Sequence, residues 1–242
     1  MMKRNQVVVG AALLVILIGI GSYLFISNSL GNKVEIESVM ATEEGGTATE
    51  GASASPNAES QVNEALSADQ MNGVWNIADE SKVYWSVTTS KETVNFVNEE
   101  VTGQWTVDIN EEAAMTGKGA VDMNGLSSGN EQRDSHVKER PDLLETSQYP
   151  EATFVAKSFS PLPETWTEGT SVPLTMTGTL SVKGLEKEVI FESEAMYKGG
   201  QLLLSGKTTV AFSDFGMKSP HTIVLEAEND LSVQLELVLN KT

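Results

Sequence analysis

An all-β, antiparallel domain behind one N-terminal membrane span is the architecture this sequence predicts, and three observations carry it. From Trp75 onward apolar residues recur at every second position. Turn-forming residues punctuate these runs. Near the start, one uncharged stretch is long enough to cross a bilayer.

The span comes first. Met1-Met2-Lys3-Arg4 is a short basic start, and Val7 to Ile26 then runs without a charge. As a helix rising about 1.5 Å per residue, it covers about 30 Å, the thickness of the hydrocarbon core. It has no polar face, which argues against a helix of a soluble core. Lys3 and Arg4 precede it, while Glu35, Glu37, Glu43 and Glu44 follow. That asymmetry predicts a single-pass signal anchor over residues 1–26, with a cytoplasmic N-terminus and everything after it extracytoplasmic. Ser27 and Ser29 leave cleavage by a signal peptidase open. Residues 27–70 are rich in Gly, Ala, Ser, Thr and Glu, with few apolar residues and no period, so a disordered acidic linker is expected. A flexible chain of roughly 44 residues reaches about 35–40 Å.

Residues 71–242 read as the folded domain. Val83-Trp85-Val87, Val101-Gly103-Trp105-Val107-Ile109 and Met115-Gly117-Gly119-Val121-Met123 alternate with other residues. Val172 to Val182, Val189 to Tyr197, Leu202 to Phe212 and Leu231 to Leu239 do the same. One apolar and one polar face per strand is the signature of antiparallel strands packed on one side. Turns are expected at Asp108-Ile109-Asn110, Lys183-Gly184, Lys198-Gly199-Gly200 and Asn229-Asp230. Eight or more such strands imply a closed barrel or a sandwich; closure removes exposed edges. Gly103, Gly117, Gly119, Gly178 and Gly206 sit on the apolar faces, where they either leave room for a ligand or let the sheet bend. Asn130 to Pro141 breaks the alternation. With Asn130 as N-cap, leading acids, trailing Lys138 and Arg140, and Pro141 as stop, it predicts a short polar helix that could cover a barrel mouth.

Composition narrows the function. The chain has 16 basic and 34 acidic residues, a formal charge of −18, and no cysteine. From Met71 on, 13 basic residues face 26 acidic ones, so the domain itself is acidic. Such a charge repels phosphate backbones and argues against nucleic acid as a partner. Disulfides, thiol catalysis and cysteine zinc sites are excluded, and two histidines, His136 and His221, make a poor metal cluster. No metal or catalytic site is assigned, and no cofactor is required. Asp134, Ser135 and His136 are triad types, but neighbours on one helical turn point in different directions.

Four segments in order resemble the YceI-like family: Gln132-Arg133-Asp134-Ser135-His136-Val137-Lys138, Tyr149 to Phe154, Gly178 to Gly184, and Asp214-Phe215-Gly216-Met217. The resemblance covers about Gly73 to Leu239. It implies a lipocalin-like extended β-barrel with an elongated pocket for an amphiphile such as a polyisoprenoid. The chain departs from the family pattern in three places. Glu80 stands before Ser81 where the family often has His. Phe212 stands where it often has Arg. Leu143-Leu144 replaces an aromatic pair. Loss of the cation at 212 points toward a neutral head group, such as an isoprenoid quinone's.

The expected ligand-binding residues are Trp105, Leu143, Leu144, Phe154, Phe191 and Phe212 as pocket wall, with Phe215 and Met217 returning inward from a tight turn. Arg133 and Asp134 either orient a head group at the mouth or pin the helix to the rim. The resulting expectation is a membrane-anchored extracytoplasmic binding protein for an isoprenoid or similar amphiphilic lipid, serving transport, storage or sensing. The alternatives are an interaction scaffold with a filled barrel and a carboxylate-dependent hydrolase. Oligomeric state has no signature in the sequence.

Overall fold

The computed structural model describes residues 31–40, 65–163, 165–222 and 225–242. The expected anchor, residues 1–26, and residues 27–30 and 41–64 of the expected linker lie outside the described residues. Among those described, no helix is long and apolar enough to cross a membrane.

The alternating runs are strands. In chain order the elements are β1 (Ala65–Leu66), α1 (Ala68–Met71), β2 (Gly73–Ile77), β3 (Lys82–Thr89), β4 (Thr93–Asn98), β5 (Val101–Val107) and β6 (Thr116–Asp122). There follow α2 (Glu131–Glu139), β7 (Glu151–Phe159), β8 (Trp166–Thr167), β9 (Val172–Val182), β10 (Leu185–Lys198), β11 (Gln201–Ala211), β12 (His221–Thr222) and β13 (Leu225–Lys241). Every pairing is antiparallel. The choice between barrel and sandwich is settled by β11, which pairs with β10 on one side and with β13 on the other, from Gln201↔Asn240 to Ala211↔Asp230. With β13 also on β2, eight strands (β2, β5, β6, β7, β9, β10, β11 and β13) close a ring.

One end of this ring is built differently. The tail of β13, Leu239–Lys241, pairs with β2, whereas its middle, Leu231–Glu236, pairs with β3. β3 carries β4, which pairs with no further strand among the described residues and makes one isolated bridge, Val97↔Ser127. The wall therefore parts beside β4, and the segment after β6 together with α2 lies across that end.

Turn chemistry accounts for the tight link between β9 and β10. Lys183 and Gly184 both have positive φ, 53° and 72°, the two-residue geometry that suits the twist of a hairpin. Asn229-Asp230 is a correction: it lies inside β13, where the register on β3 shifts between Ala227 and Leu231. The pair bends one long strand as a bulge and joins no two strands. The helix forms as expected, with Asn130 Oδ1 accepting from the Arg133 N–H at 3.2 Å.

The barrel interior away from α2 is filled. Trp75, Met176 and Phe191 are fully buried, and Phe154 meets Phe191 edge-on at 5.1 Å. Two of the apolar-face glycines, Gly117 and Gly178, serve this filling. A Cβ on Gly117 would stand 2.4 Å from the Trp105 ring, and one on Gly178 would stand 2.5 Å from the Phe154 ring. The space each of these two vacates is taken by an aromatic ring of the neighbouring strand, so neither enlarges a pocket.

The linker expectation is corrected at both ends. Residues 65–70 contribute β1, which pairs with β8, and most of α1. Residues 31–40 form a strap on the outer wall. Asn32 N–H donates to Glu92 and its side chain accepts from the Asn95 N–H; the Asn95 side chain donates to Val34 O. Farther on, Glu37 pairs with Lys82 at 2.8 Å and the Val39 N–H donates to Glu236 at 2.9 Å. Val39 and Met40 cover a small apolar patch of Ala78, Met196, Leu203 and Val238. These apolar contacts and outward polar partners anchor a segment whose composition alone looks unstructured.

Candidate functional site

The parted end holds a cavity of about 710 Å³. Its walls come from strand residues that the period of two points inward: Trp85 and Val87 of β3, Val94 and Phe96 of β4, Val182 of β9 and Leu231 of β13. Leu143 and Leu144, after α2, and Met123 and Leu126, after β6, add further apolar surface. α2 closes the top: Gln132, Arg133, His136 and Val137 line the cavity, a helical stripe continued by Arg140 just beyond its end.

Trp85 forms part of the floor. Its indole N–H donates to Asn98 Oδ1 at 2.9 Å, and the Asn98 amide donates to Asp122 O at 2.8 Å, so a buried polar chain holds the ring. Beneath it lies a second void of only about 40 Å³, lined by Trp85, Trp105, Phe154 and Phe191 among others. Among the described residues the interior thus has a roomy chamber under α2 and a tightly packed half below it.

The rim reverses the charge of the molecule. Arg133, Arg140 and Lys218 line the cavity with a single carboxylate, Asp142, on a chain whose acids outnumber its bases by 34 to 16. Arg140 grips Asp142 with two N–H donors and also reaches His136 Nε2 at 2.8 Å. The hydrogen bond from Arg140 holds the Asp142 carboxyl below its ordinary pKa, and the Lys218 charge adds to this. Asp142 thus stays ionised and fixes the Arg140 fork at the mouth.

The expected site residues divide into three groups. Arg133, Leu143, Leu144, Phe212 and Met217 line the large cavity. Trp105, Phe154 and Phe191 border only the small void, as part of the filled half. Asp134 and Phe215 line neither. Asp134 is buried and accepts from Ser128 through both the backbone N–H (2.9 Å) and the hydroxyl, which pins the preceding loop to α2. Phe215 is fully buried in the core. Arg133 has both of its expected characters: it lines the cavity, yet its Nε donates to Ser128 Oγ and its Nη2 to Gly31 O, each at 3.0 Å. Asp134, Ser135 and His136 form no relay, since Asp134 binds Ser128 and His136 meets Arg140.

Sequence reasoning passed over Phe96, Val94, His136, Arg140 and Lys218. The alternation of Val94 and Phe96 was available as a signal. Nothing local to Arg140 or Lys218 marks them, because they converge only when the segment after the short 3₁₀ turn Phe212–Phe215 folds back beside α2: the Lys218 N–H donates to Asp142 O at 3.0 Å. The neutral-head-group expectation rested on position 212. Phe212 does line the cavity, but the cation absent there is supplied by Arg133, Arg140 and Lys218.

Comparison with known proteins places this architecture. The crystal structure of Burkholderia cenocepacia BcnA is similar over 67% of this chain and 98% of its own, with a TM-score of 0.58 at 19% identity. A domain from Saccharophagus degradans, described as polyisoprenoid binding and implicated in plant cell wall breakdown, is similar over 71% of this chain and 99% of its own, at TM-score 0.56 and 12% identity. At these identities the likeness is one of fold. A UPF0312 protein of Pseudomonas putida is 28% identical over 123 residues, and one of Pseudomonas fluorescens is 28% identical over 127. The chain spans 60% of the length of the former and 62% of the latter. The YceI-like domain model matches residues 75–239, which include the whole closed barrel apart from the ends of β2 and β13, and the chain belongs to that family.

Proposed function

We propose that this protein is a binding protein, not an enzyme, and that it holds the chain of a polyisoprenoid-type lipid in the cavity beneath α2. The observation that carries this reading is the pairing of apolar walls with a cationic rim in one 710 Å³ chamber. At about 30 Å³ per small heavy-atom group, 710 Å³ accommodates about two dozen such groups, or four to five prenyl units. Apolar burial drives partition at about 0.8 kcal/mol per CH₂ before the costs of binding. At about 0.3 kcal/mol net per heavy atom, two dozen atoms give about 7 kcal/mol, a Kd of roughly 10 µM. The head group then rests among Arg133, His136, Arg140 and Lys218. The description of the Saccharophagus degradans domain as polyisoprenoid binding supports the ligand class.

The uncharged run Val7–Ile26, basic before and acidic after, supports a membrane anchor with the barrel on the extracytoplasmic side. The experiment is native mass spectrometry of the chain from Gly31, with extraction of co-purified lipid and titration with prenyl alcohols, phosphates and quinones. A stoichiometric adduct of prenyl mass is the expected result. A protein that stays empty against every prenyl class refutes the reading and favours the scaffold alternative.

A further inference from the structure

We infer that the barrel sits with its cavity mouth against the surface of the membrane that holds residues 7–26, and that the strap of residues 31–40 sets this orientation. The inference rests on the proposed anchor and goes beyond it, because an anchor followed by a 44-residue flexible linker would leave the barrel free to turn.

The direction of the strap decides which end faces the bilayer. It begins at α2, where Gly31 O accepts from Arg133 Nη2 at 3.0 Å and Lys33 lies against Gly129. It then passes β4 at Asn95 and β3 at Tyr84, and reaches Glu236 and the Met196–Leu203 patch at Val39. The chain thus enters the fold at the mouth and runs away from it. Five residue steps separate Ile26 from Gly31, and even a fully extended chain covers only about 18 Å in that distance. The opposite end cannot approach equally. The Gly199–Gly200 turn lies at the other end of β10, a 14-residue strand. At about 3.3 Å per residue and a tilt near 40°, that is about 35 Å farther along the barrel.

Two further features fit a lipid surface at this end. The cavity lining has three cations and one carboxylate, with the exposed Glu131 and Glu139 of α2 beside it, so the positive charge that meets anionic head groups is held within the mouth. The cavity itself opens beside Gln132, His136 and Arg140, all exposed, so an amphiphile could pass from the bilayer into the chamber without crossing water.

The test uses the full chain in vesicles of phosphatidylcholine and phosphatidylglycerol in which some lipids carry a head-group nitroxide. The chain has no cysteine, so Ser135→Cys on the outer side of α2 and Lys198→Cys at the far end can each take one fluorescent label. Neither residue lines the cavity. The expected result is quenching of the label at 135, with the label at 198 unchanged. Inserting roughly twenty Gly/Ser residues between Asn28 and Ser29, an added reach of about 25 Å, should relieve the quenching at 135. Vesicle-bound protein with equal or reversed quenching overturns the orientation and leaves the anchor standing. Quenching that survives the insertion overturns the role of the strap. Protein that fails to float with the vesicles overturns the anchor and the orientation together.

Discussion

Replacing Gly117 by alanine should destabilise the barrel while leaving lipid binding intact, because its neighbour Trp105 has nowhere to go. A Cβ at 117 would lie 2.4 Å from two ring carbons of Trp105 and 2.9 Å from a third, about 1 Å inside ordinary contact. Trp105 is buried and already leans edge-on against Phe159 at 5.9 Å. Its indole N–H has no acceptor among the described residues, so packing alone holds the ring. Overfilling such a site costs about 1–3 kcal/mol. For a domain of this size that lowers Tm by about 2–12 °C. The assay is urea unfolding of the chain from Gly31, run as a double-mutant cycle with Trp105→Ala. Trp105→Ala alone should cost about 3–5 kcal/mol. In that background the clash is gone, and Gly117→Ala should be neutral or stabilising by up to about 1 kcal/mol. The two substitutions should therefore couple by at least about 1 kcal/mol. A Gly117→Ala cost that is the same in both backgrounds would refute the reasoning. So would a weakened affinity for a prenyl ligand, since it would make the Trp105 half a soft continuation of the binding channel and not its filled base.

Three other expectations follow from single contacts. Leu144→Gln, which puts an amide in the apolar cavity wall, should weaken prenyl-ligand binding by about tenfold or more in a fluorescent-probe displacement titration. Glu236→Ala removes the acceptor of the Val39 N–H, of Ser205 and of Gln234, so the Val39 amide should exchange faster with deuterium while amides of β11 keep their protection. The Asp214 carboxyl is held below its ordinary value of 3.8 by the hydrogen bond from Lys187, and next by the Ala211 N–H. A lowered folded-state pKa adds stability that is complete above about pH 4 and is lost as the pH falls through the folded value. Asp214→Asn should accordingly flatten the acid side of the stability profile below pH 4 and leave its slope at neutral pH unchanged.

Residue order alone determined much of this molecule. A period of two needs no tertiary information, because successive side chains of a strand point to opposite faces, so β3, β5, β6, β9, β10, β11 and β13 were legible, while β4 and β7 were passed over. The Lys183-Gly184 hairpin and the Asn130-capped helix are equally local, set by φ preferences and by one side-chain hydrogen bond. What only the tertiary structure decided concerns space and convergence. Gly117 and Gly178 looked alike as room for a ligand or as bends, and the neighbouring Trp105 and Phe154 rings settle that they are sockets for aromatic side chains. The open chamber lies instead where β13 exchanges β2 for β3 and α2 bridges the parted wall, a consequence of strand pairing that no single segment encodes. Arg133, Arg140 and Lys218 come from separate segments, so their shared rim exists only after folding. Residues 31–40 have the composition of a loose linker, and they are held because Tyr84, Asn95 and Glu236, remote in the chain, present partners along one outer face of the barrel.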